Sequence, residues 1–526
     1  MLEGTLTAPD VQWAALVPVM IVLGAAVIGV LVEAFAPAKV RRAIQILLSL
    51  VAVLASLVVV VWRWTTINTA DGSISPNQGI LPEYMEDTLT LAAQAILLVI
   101  AFLAILVIAD RTEIGDGAFA AQPADRPGSS DEDISIAKAY QRTEIFPLTL
   151  FSLGGMMVFP AATSLIALFV ALEVMSLPLY IMAATARRRR QLSQEAALKY
   201  FVLGAFASAF FLMGGALLYG VTGTLNLNEI ARTAPQLAGV DWIIIVGILG
   251  VLIGLLFKVG AAPFHAWTPD VYQGSPTPIT GYMAAAVKVA AFATLVRFYL
   301  TVAQPFQWDL AWIVGAIAAL TMLVGTFAGL VQKDIKRLLA YSSIAHAGFV
   351  LIGILALQES TAGSVMFYLL GYGIATVGAF AIVALVRHSD TQGNVTGEAT
   401  EIARWAGLGR KSPLLATAMM IFLLSFAGIP LTSGFIGKFV VFADGIAGGY
   451  VGLVILALAC SAITAFYYFR LMVLMFFTEP DESTVAIKSE GYGVIAIILS
   501  AVTTIVLGIA AQPVLELLSN VVVLLP

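Results

Sequence analysis

The chain has 526 residues, 60% of them hydrophobic and only 11% charged, with a formal charge of −5. Soluble domains carry about 25% charged residues, so this composition excludes a soluble globular protein and indicates a polytopic membrane protein. The small net charge gives no basis for nucleic-acid binding, and a single cysteine, Cys460, excludes an internal disulfide or a thiolate metal cluster. His265, His346 and His388 form no ligand motif, and neither a GxGxxG fingerprint after a strand nor a GxxxxGK[ST] loop occurs.

Met1-Leu2-Glu3-Gly4 lacks a basic leader, so the first apolar run is expected to be a retained span rather than a signal peptide. Apolar runs of about 17 residues or more then predict an all-α protein of about fourteen transmembrane helices. They lie near 13–35, 43–64, 88–109, 145–161, 163–184, 194–221, 242–272, 277–302, 309–331, 335–356, 361–387, 412–446, 450–478 and 492–518. Basic residues cluster between alternate spans: Lys39, Arg41 and Arg42; Arg111, Arg126, Lys138 and Arg142; Arg187 to Arg190; Lys333, Lys336 and Arg337; and Arg387, Arg404, Arg410 and Lys411. The opposite loops hold Asp71, Glu83, Glu86, Asp87 and Glu359, offset mainly by Arg232. The positive-inside rule therefore predicts both termini on the outer side and gives the basic clusters an anchoring role. Residues 111–140 are polar, acidic and broken by Pro and Gly, which predicts a mobile cytoplasmic loop.

Two runs are longer than a membrane crossing requires. In 242–272, Lys258 is followed by Gly260 and Pro263; 412–446 contains Gly428-Ile429-Pro430 and then Lys438. Proline removes a backbone donor, so both helices should break, and freed backbone at membrane depth survives only inside protein or beside water. Spans 4–8 and 9–13 thus each place an ionisable group on the second span (Glu173, His346) and a lysine on a broken fourth span. Because five is odd, the two blocks run oppositely, which predicts inverted repeats. The domain boundaries follow: 1–110 for three N-terminal helices, 111–144 for the polar loop, 145–302 and 309–478 for the repeats, and 492–518 for a final helix.

Glu173, Lys258, Lys288 and Lys438 all lie within apolar segments. At roughly 2.5–3.5 kcal/mol each, four such groups cost on the order of 10 kcal/mol unless paired or hydrated, so they are candidate transport residues. A Glu173–Lys258 pair that opens and closes would gate a proton, and His346 is a further relay candidate. Arg297 and Arg470 lie nearer span ends and are expected to snorkel outward.

Phe257-Lys258 and Pro263 through Gly274 resemble the antiporter-like membrane subunits of respiratory complex I, the bacterial NADH:quinone oxidoreductase. The Asp270-Val271-Tyr272-Gln273-Gly274 ending is similar to the N branch of that family rather than to its L and M relatives. Leu172 to Leu177, Asp334 to Ser343, and Gly428-Ile429-Pro430 through Phe439 match as well, so the likeness runs from about 145 to 479. The resemblance implies proton pumping driven by NADH oxidation and quinone reduction elsewhere in a multisubunit complex. By position, Glu173 resembles the fifth-span gate, Lys258 the seventh-span carrier, Lys288 the eighth-span relay, His346 the central histidine and Lys438 the exit-side lysine. It further implies no cofactor in this chain, with FMN, iron–sulfur clusters, NADH and quinone held by partner subunits, and a bacterial inner-membrane location. The alternatives are a subunit of a multisubunit cation/proton antiporter and a non-conducting scaffold.

Overall fold

The computed structural model describes residues 13–68, 83–112, 117–120, 129–131, 134, 142–187, 189–389, 395–480 and 483–523. Asp71, Arg126, Lys138, Arg188, both termini and most of the 111–140 loop lie outside the described residues. Helices cover the apolar runs in chain order: Trp13–Phe35 (α1), Ala38–Asn68 (α2), Thr88–Ala109 (α3), Ile145–Val158 (α4), Leu165–Ala183 (α5) and Arg190–Thr222 (α6). The first overlong run is split into Asp241–Val259 (α7) and Trp267–Gly274 (α8). Next come Thr277–Tyr282 (α9) and Lys288–Phe298 (α10), joined by a π-helical turn at Met283–Val287. Then follow Gln307–Leu330 (α11), Ile335–Ala356 (α12) and Thr361–Leu385 (α13). The second overlong run is split into Pro413–Ala427 (α14) and Ser433–Ala447 (α15), followed by Val451–Phe477 (α16), Tyr492–Ile509 (α17) and Gln512–Ser519 (α18).

Among the described residues, 11 helical stretches are long and apolar enough to cross a membrane. That is fewer than fourteen because α4 and α14 are shorter, and because Thr277–Leu330 is helical almost without interruption. The chain is also not purely α-helical. Val386–Ser389 (β1), Val395–Glu398 (β2) and Thr484–Ala486 (β3) form a small antiparallel sheet in the order β2-β1-β3, with Arg387 opposite Glu398 and Val485. Strands of three or four residues are too short to show alternation, so no periodicity announces them.

Nearly every residue of α3, α12 and α13 is buried, and the other helices surround them. Outer helices keep apolar faces open: Leu198 and Phe206 on α6 and Leu458 and Phe466 on α16 are more than half exposed. In lipid such faces carry no penalty, so helix contacts rest on close packing instead. Between α6 and α7 the backbones nearly touch, since a Cβ on Gly250 would lie 2.7 Å from the Gly214 Cα. Trp13, Trp62, Trp242, Trp308 and Trp312 are exposed near helix ends, as expected of a membrane–water interface.

Arg297 does not snorkel. Its guanidinium is buried, donating to Asp87 Oδ1 at 2.7 Å, Pro160 O at 2.6 Å and Thr90 Oγ1 at 3.0 Å. Asp87 also caps α3 by accepting from the Thr90 amide at 2.9 Å, and neighbouring Glu86 is buried against Arg63. The acidic stretch before α3 is therefore part of the packing and not a solvated loop. Parts of the 111–140 loop are likewise tied down: Thr112 bridges to Ser489, and the Ala120 amide donates to Thr185 O at 3.0 Å.

Asp87→Asn keeps a cap acceptor but leaves the Arg297 charge without its counter-ion. Breaking a buried pair from one side costs about 3–5 kcal/mol. A drop of that size in denaturant unfolding of the purified protein is expected, and Asp87→Asn/Arg297→Met should lose less than the sum of the single changes.

Candidate functional site

Both helix breaks end in the same way. Gly260, with φ 75°, donates its amide to Leu256 O and Phe257 O, and the Ala261 amide closes onto Leu256 O at 2.9 Å. Gly428, with φ 81°, donates to Leu424 O and Ser425 O, and Ile429 closes onto Leu424 O at 3.0 Å. These are left-handed caps of the Schellman kind, which glycine adopts without the Cβ penalty. The lysines sit differently around them. Lys258 lies in the last turn of α7, before the break, whereas Lys438 lies on α15, after it.

Lys438 Nζ reaches back across its break to donate to Phe426 O at 2.8 Å and Ala427 O at 3.0 Å. These are the last carbonyls of α14, the negative end of the helix dipole, where a cation is favoured. A third bond, at 2.8 Å, goes to Ser461 Oγ on α16. Lys258 Nζ donates to Ser176 Oγ at 2.7 Å and Tyr180 Oη at 3.3 Å, and lies 5.4 Å from the ring centres of both Tyr180 and Tyr200. Its oxygen partners are neutral hydroxyls of α5 and its ring contacts supply cation–π attraction.

Glu173 and Lys258 do not form the expected ion pair. The Glu173 carboxylate accepts from Ser208 Oγ at 2.7 Å on α6, and Ser176, one turn further along α5, takes the lysine. Residues 173 and 176 lie on one helix face, so the carboxylate acts on Lys258 through the space of one turn and not by contact. Glu173 is half-buried, at the edge of the bundle.

Lys288 begins α10, immediately after the π-helical turn, and its Nζ donates to Ser343 O on α12 at 2.6 Å. One turn later on α12, His346 Nδ1 lies 2.6 Å from Tyr368 Oη, and His346 Nε2 lies 3.4 Å from Tyr468 Oη. Tyr468 Oη in turn bonds Ser342 Oγ. A cavity of about 10 Å³ beside the histidine is lined by Tyr368, Tyr372, Ser425, Phe426 and Gly434, near the size needed for one water. It joins His346 to the broken segment that carries the Lys438 acceptors.

The predicted residues thus gather in separate polar groups inside an apolar bundle. Lys258, Lys288, His346 and Lys438 are 2–6% exposed, while Glu173 at one end and Ser461 at the other are half-buried. No side-chain hydrogen bond among the described residues joins the Glu173–Ser176–Lys258 group to Lys288. Lys288 bonds Ser343 O on α12, one turn from His346, and the His346 ring centre lies 5.9 Å from that of Phe426, whose carbonyl accepts from Lys438. The sequence pointed to the charged members, but not to Ser176, Ser208, Tyr368, Tyr468 or Ser461. Hydroxyls are ordinary in membrane helices, and only the fold shows which of them meet a cation.

Residues 162–464 match the family model described as NADH:quinone oxidoreductase/Mrp antiporter, transmembrane. The chain is 53% identical to NADH-quinone oxidoreductase subunit N of Beutenbergia cavernae over 97% of its own length and 98% of the relative's. It superposes on a chain of respiratory complex I from Thermus thermophilus with a TM-score of 0.76 and 32% identity, covering 96% of this chain and 100% of that one. A chain of the Mrp complex from Dietzia sp. DQ12-45-1b has the same fold, with a TM-score of 0.77, 20% identity and 96% and 97% coverage. With more than half its length inside that family model and a relative this similar end to end, the chain belongs to the NADH:quinone oxidoreductase/Mrp antiporter family of membrane subunits.

Proposed function

We propose that this chain is the proton-translocating, antiporter-like membrane subunit of a bacterial NADH:quinone oxidoreductase, of the N type. The observation that carries this is 53% identity over nearly the whole length of both chains to a subunit N. The Mrp complex shares the fold at 20% identity, so the fold alone does not separate the two assemblies, and the sequence likeness favours the oxidoreductase. NADH oxidation and quinone reduction take place in partner subunits, which hold the flavin and iron–sulfur clusters; this chain converts their free energy into proton movement. It sits in the bacterial inner membrane beside other membrane and peripheral subunits of the complex, including neighbouring antiporter-like ones.

Fourteen spans, ten of them arranged as two inverted five-helix repeats, 145–302 and 309–478, account for the pair of glycine-capped breaks. The boundaries 1–110, 111–144 and 492–518 complete the chain. Glu173, Lys258, Lys288, His346 and Lys438 carry the proton. The support is geometric: each lysine donates only to neutral oxygens, so it loses a proton without stranding a counter-ion. At the Glu173 end, the carboxylate acts on Lys258 across one turn of α5 while Ser176 holds the ammonium. Lys288 passes charge along α12 to His346, whose two ring nitrogens face Tyr368 and Tyr468. Lys438 ends the series at Ser461, where the protein edge begins.

Three outcomes test this reading. Lys258→Arg and Lys438→Arg retain the positive charge, but arginine, with a pKa above about 12, does not release its proton. Each variant is expected to assemble, as judged on a native gel, and to lose most proton uptake per NADH oxidised in proteoliposomes. An unaltered proton-to-electron ratio would leave the scaffold reading in place. Ser176→Ala removes the closest partner of Lys258; a hydrogen bond to a charge contributes about 1.5–3 kcal/mol, so a loss of roughly tenfold in proton transfer is expected in the same assay. For orientation, a cysteine in the 187–190 loop should be shielded from an impermeant thiol reagent in intact cells, and one at Glu83 labelled.

A further inference from the structure

Near the small sheet, a cavity of about 90 Å³ opens between β1, β2, the start of α12 and the turn between α8 and α9. Arg187, Arg189, Lys336 and Arg387 line it, against one carboxylate, Glu398. That carboxylate is already engaged, accepting from Thr277 Oγ1 at 2.6 Å and lying 4.0 Å from Lys336 Nζ. Lys336 is buried and donates to Ser275 O at 2.7 Å and Thr277 Oγ1 at 3.1 Å, two neutral oxygens. The anchoring role expected of the basic clusters does not describe a lysine enclosed in this way.

Arg387 is the decisive residue. It is 6% exposed, its Nε is enclosed with no hydrogen-bond partner, and it forms no ion pair among the described residues. Ser275 Oγ, on a residue 1% exposed, is also enclosed and without a partner. A buried guanidinium left uncompensated costs several kcal/mol, so the fold keeps it only if something else meets it. Four basic side chains and one carboxylate from different elements border the cavity, and two of its lining residues, Arg387 and Ser275, carry the orphaned polar atoms. Such a set matches a tetrahedral phosphate better than a single carboxylate or a halide, because several oxygens accept at once.

We propose that this cavity binds a phosphate group, either the headgroup of an anionic phospholipid or free orthophosphate. The position, at the basic end of the helices, suits both sources. The site is separate from Lys258, Lys288 and Lys438 and does not depend on protons moving through them.

The test uses the assembled complex in nanodiscs and a local probe. A Cβ on Gly117, which lines the cavity, meets nothing within 4 Å, so Gly117→Cys is tolerated sterically. The rate of its alkylation by N-ethylmaleimide is followed by peptide mass spectrometry. In phosphatidylcholine discs, inorganic phosphate is expected to slow alkylation at least about threefold relative to chloride of equal ionic strength. This outcome assigns the site to free phosphate. Slow alkylation in phosphatidylglycerol discs, with no further effect of phosphate, assigns it to a headgroup. Arg387→Gln should raise the half-protecting phosphate concentration, or in the headgroup case the half-protecting fraction of phosphatidylglycerol in the discs, about tenfold, the usual effect of removing a charged hydrogen bond. Ser275→Ala, which alters no charge, should raise it severalfold and serves if Arg387→Gln does not assemble. Equal rates under all conditions, equal protection by chloride, or protection unchanged in both variants would overturn the proposal. So would full shielding in phosphatidylcholine without phosphate, since a neighbouring chain would then fill the cavity.

Discussion

A lysine ammonium taken out of water into an apolar bundle must meet other oxygens, and the arrangement of this protein follows from how it does so. Helix interiors offer little, because every carbonyl there already accepts one bond along the ladder. Helix ends offer more. The Gly428 break frees the last carbonyls of α14, and Lys438 occupies them. Where no end is within reach, hydroxyls substitute, as Ser176 and Tyr180 do for Lys258. Lys288 takes the remaining solution, a second bond to a backbone carbonyl, that of Ser343, already inside a helix. Each solution leaves the cation bound but uncancelled.

Arg297 shows the opposite choice. It is as deep as the lysines, yet it meets a carboxylate directly and is fixed by three acceptors from two other segments. A permanent charge with a permanent counter-ion makes a joint, and this one ties α10 to the start of α3 and to the α4–α5 connection. A titratable charge with neutral partners can change state without leaving an orphan. The difference between Arg297 and the lysines thus lies in their partners and not in their burial.

Much of this was legible in the chain. Apolar length gave the helices, and Gly260, Pro263, Gly428 and Pro430 gave the breaks, because these residues act locally. Lys258 and Lys438 stood out because charge in an apolar run is costly wherever it falls. What failed to show was decided by contacts between distant segments. Arg297 sits 210 residues from Asp87, and nothing near either in sequence says that they meet. Glu173 and Lys258 were expected to touch, yet a serine one turn away intervenes, a difference of a few ångströms that spacing does not resolve. The three-stranded sheet escaped for lack of length, and with it the pocket that Arg387 enters.

The π-helical turn at Met283–Val287 has an effect beyond its five residues. An α-helix turns about 100° per residue, so one residue accommodated as a bulge rotates everything after it by nearly a third of a circle. Lys288 is the first residue on the far side. The stretch therefore works as a phase shifter: upstream, α9 keeps one set of faces toward α13, while downstream the lysine is turned onto the Ser343 carbonyl of α12. A residue added to or removed from this turn would re-aim the lysine without changing any side chain around it, so its direction is set by a count of residues.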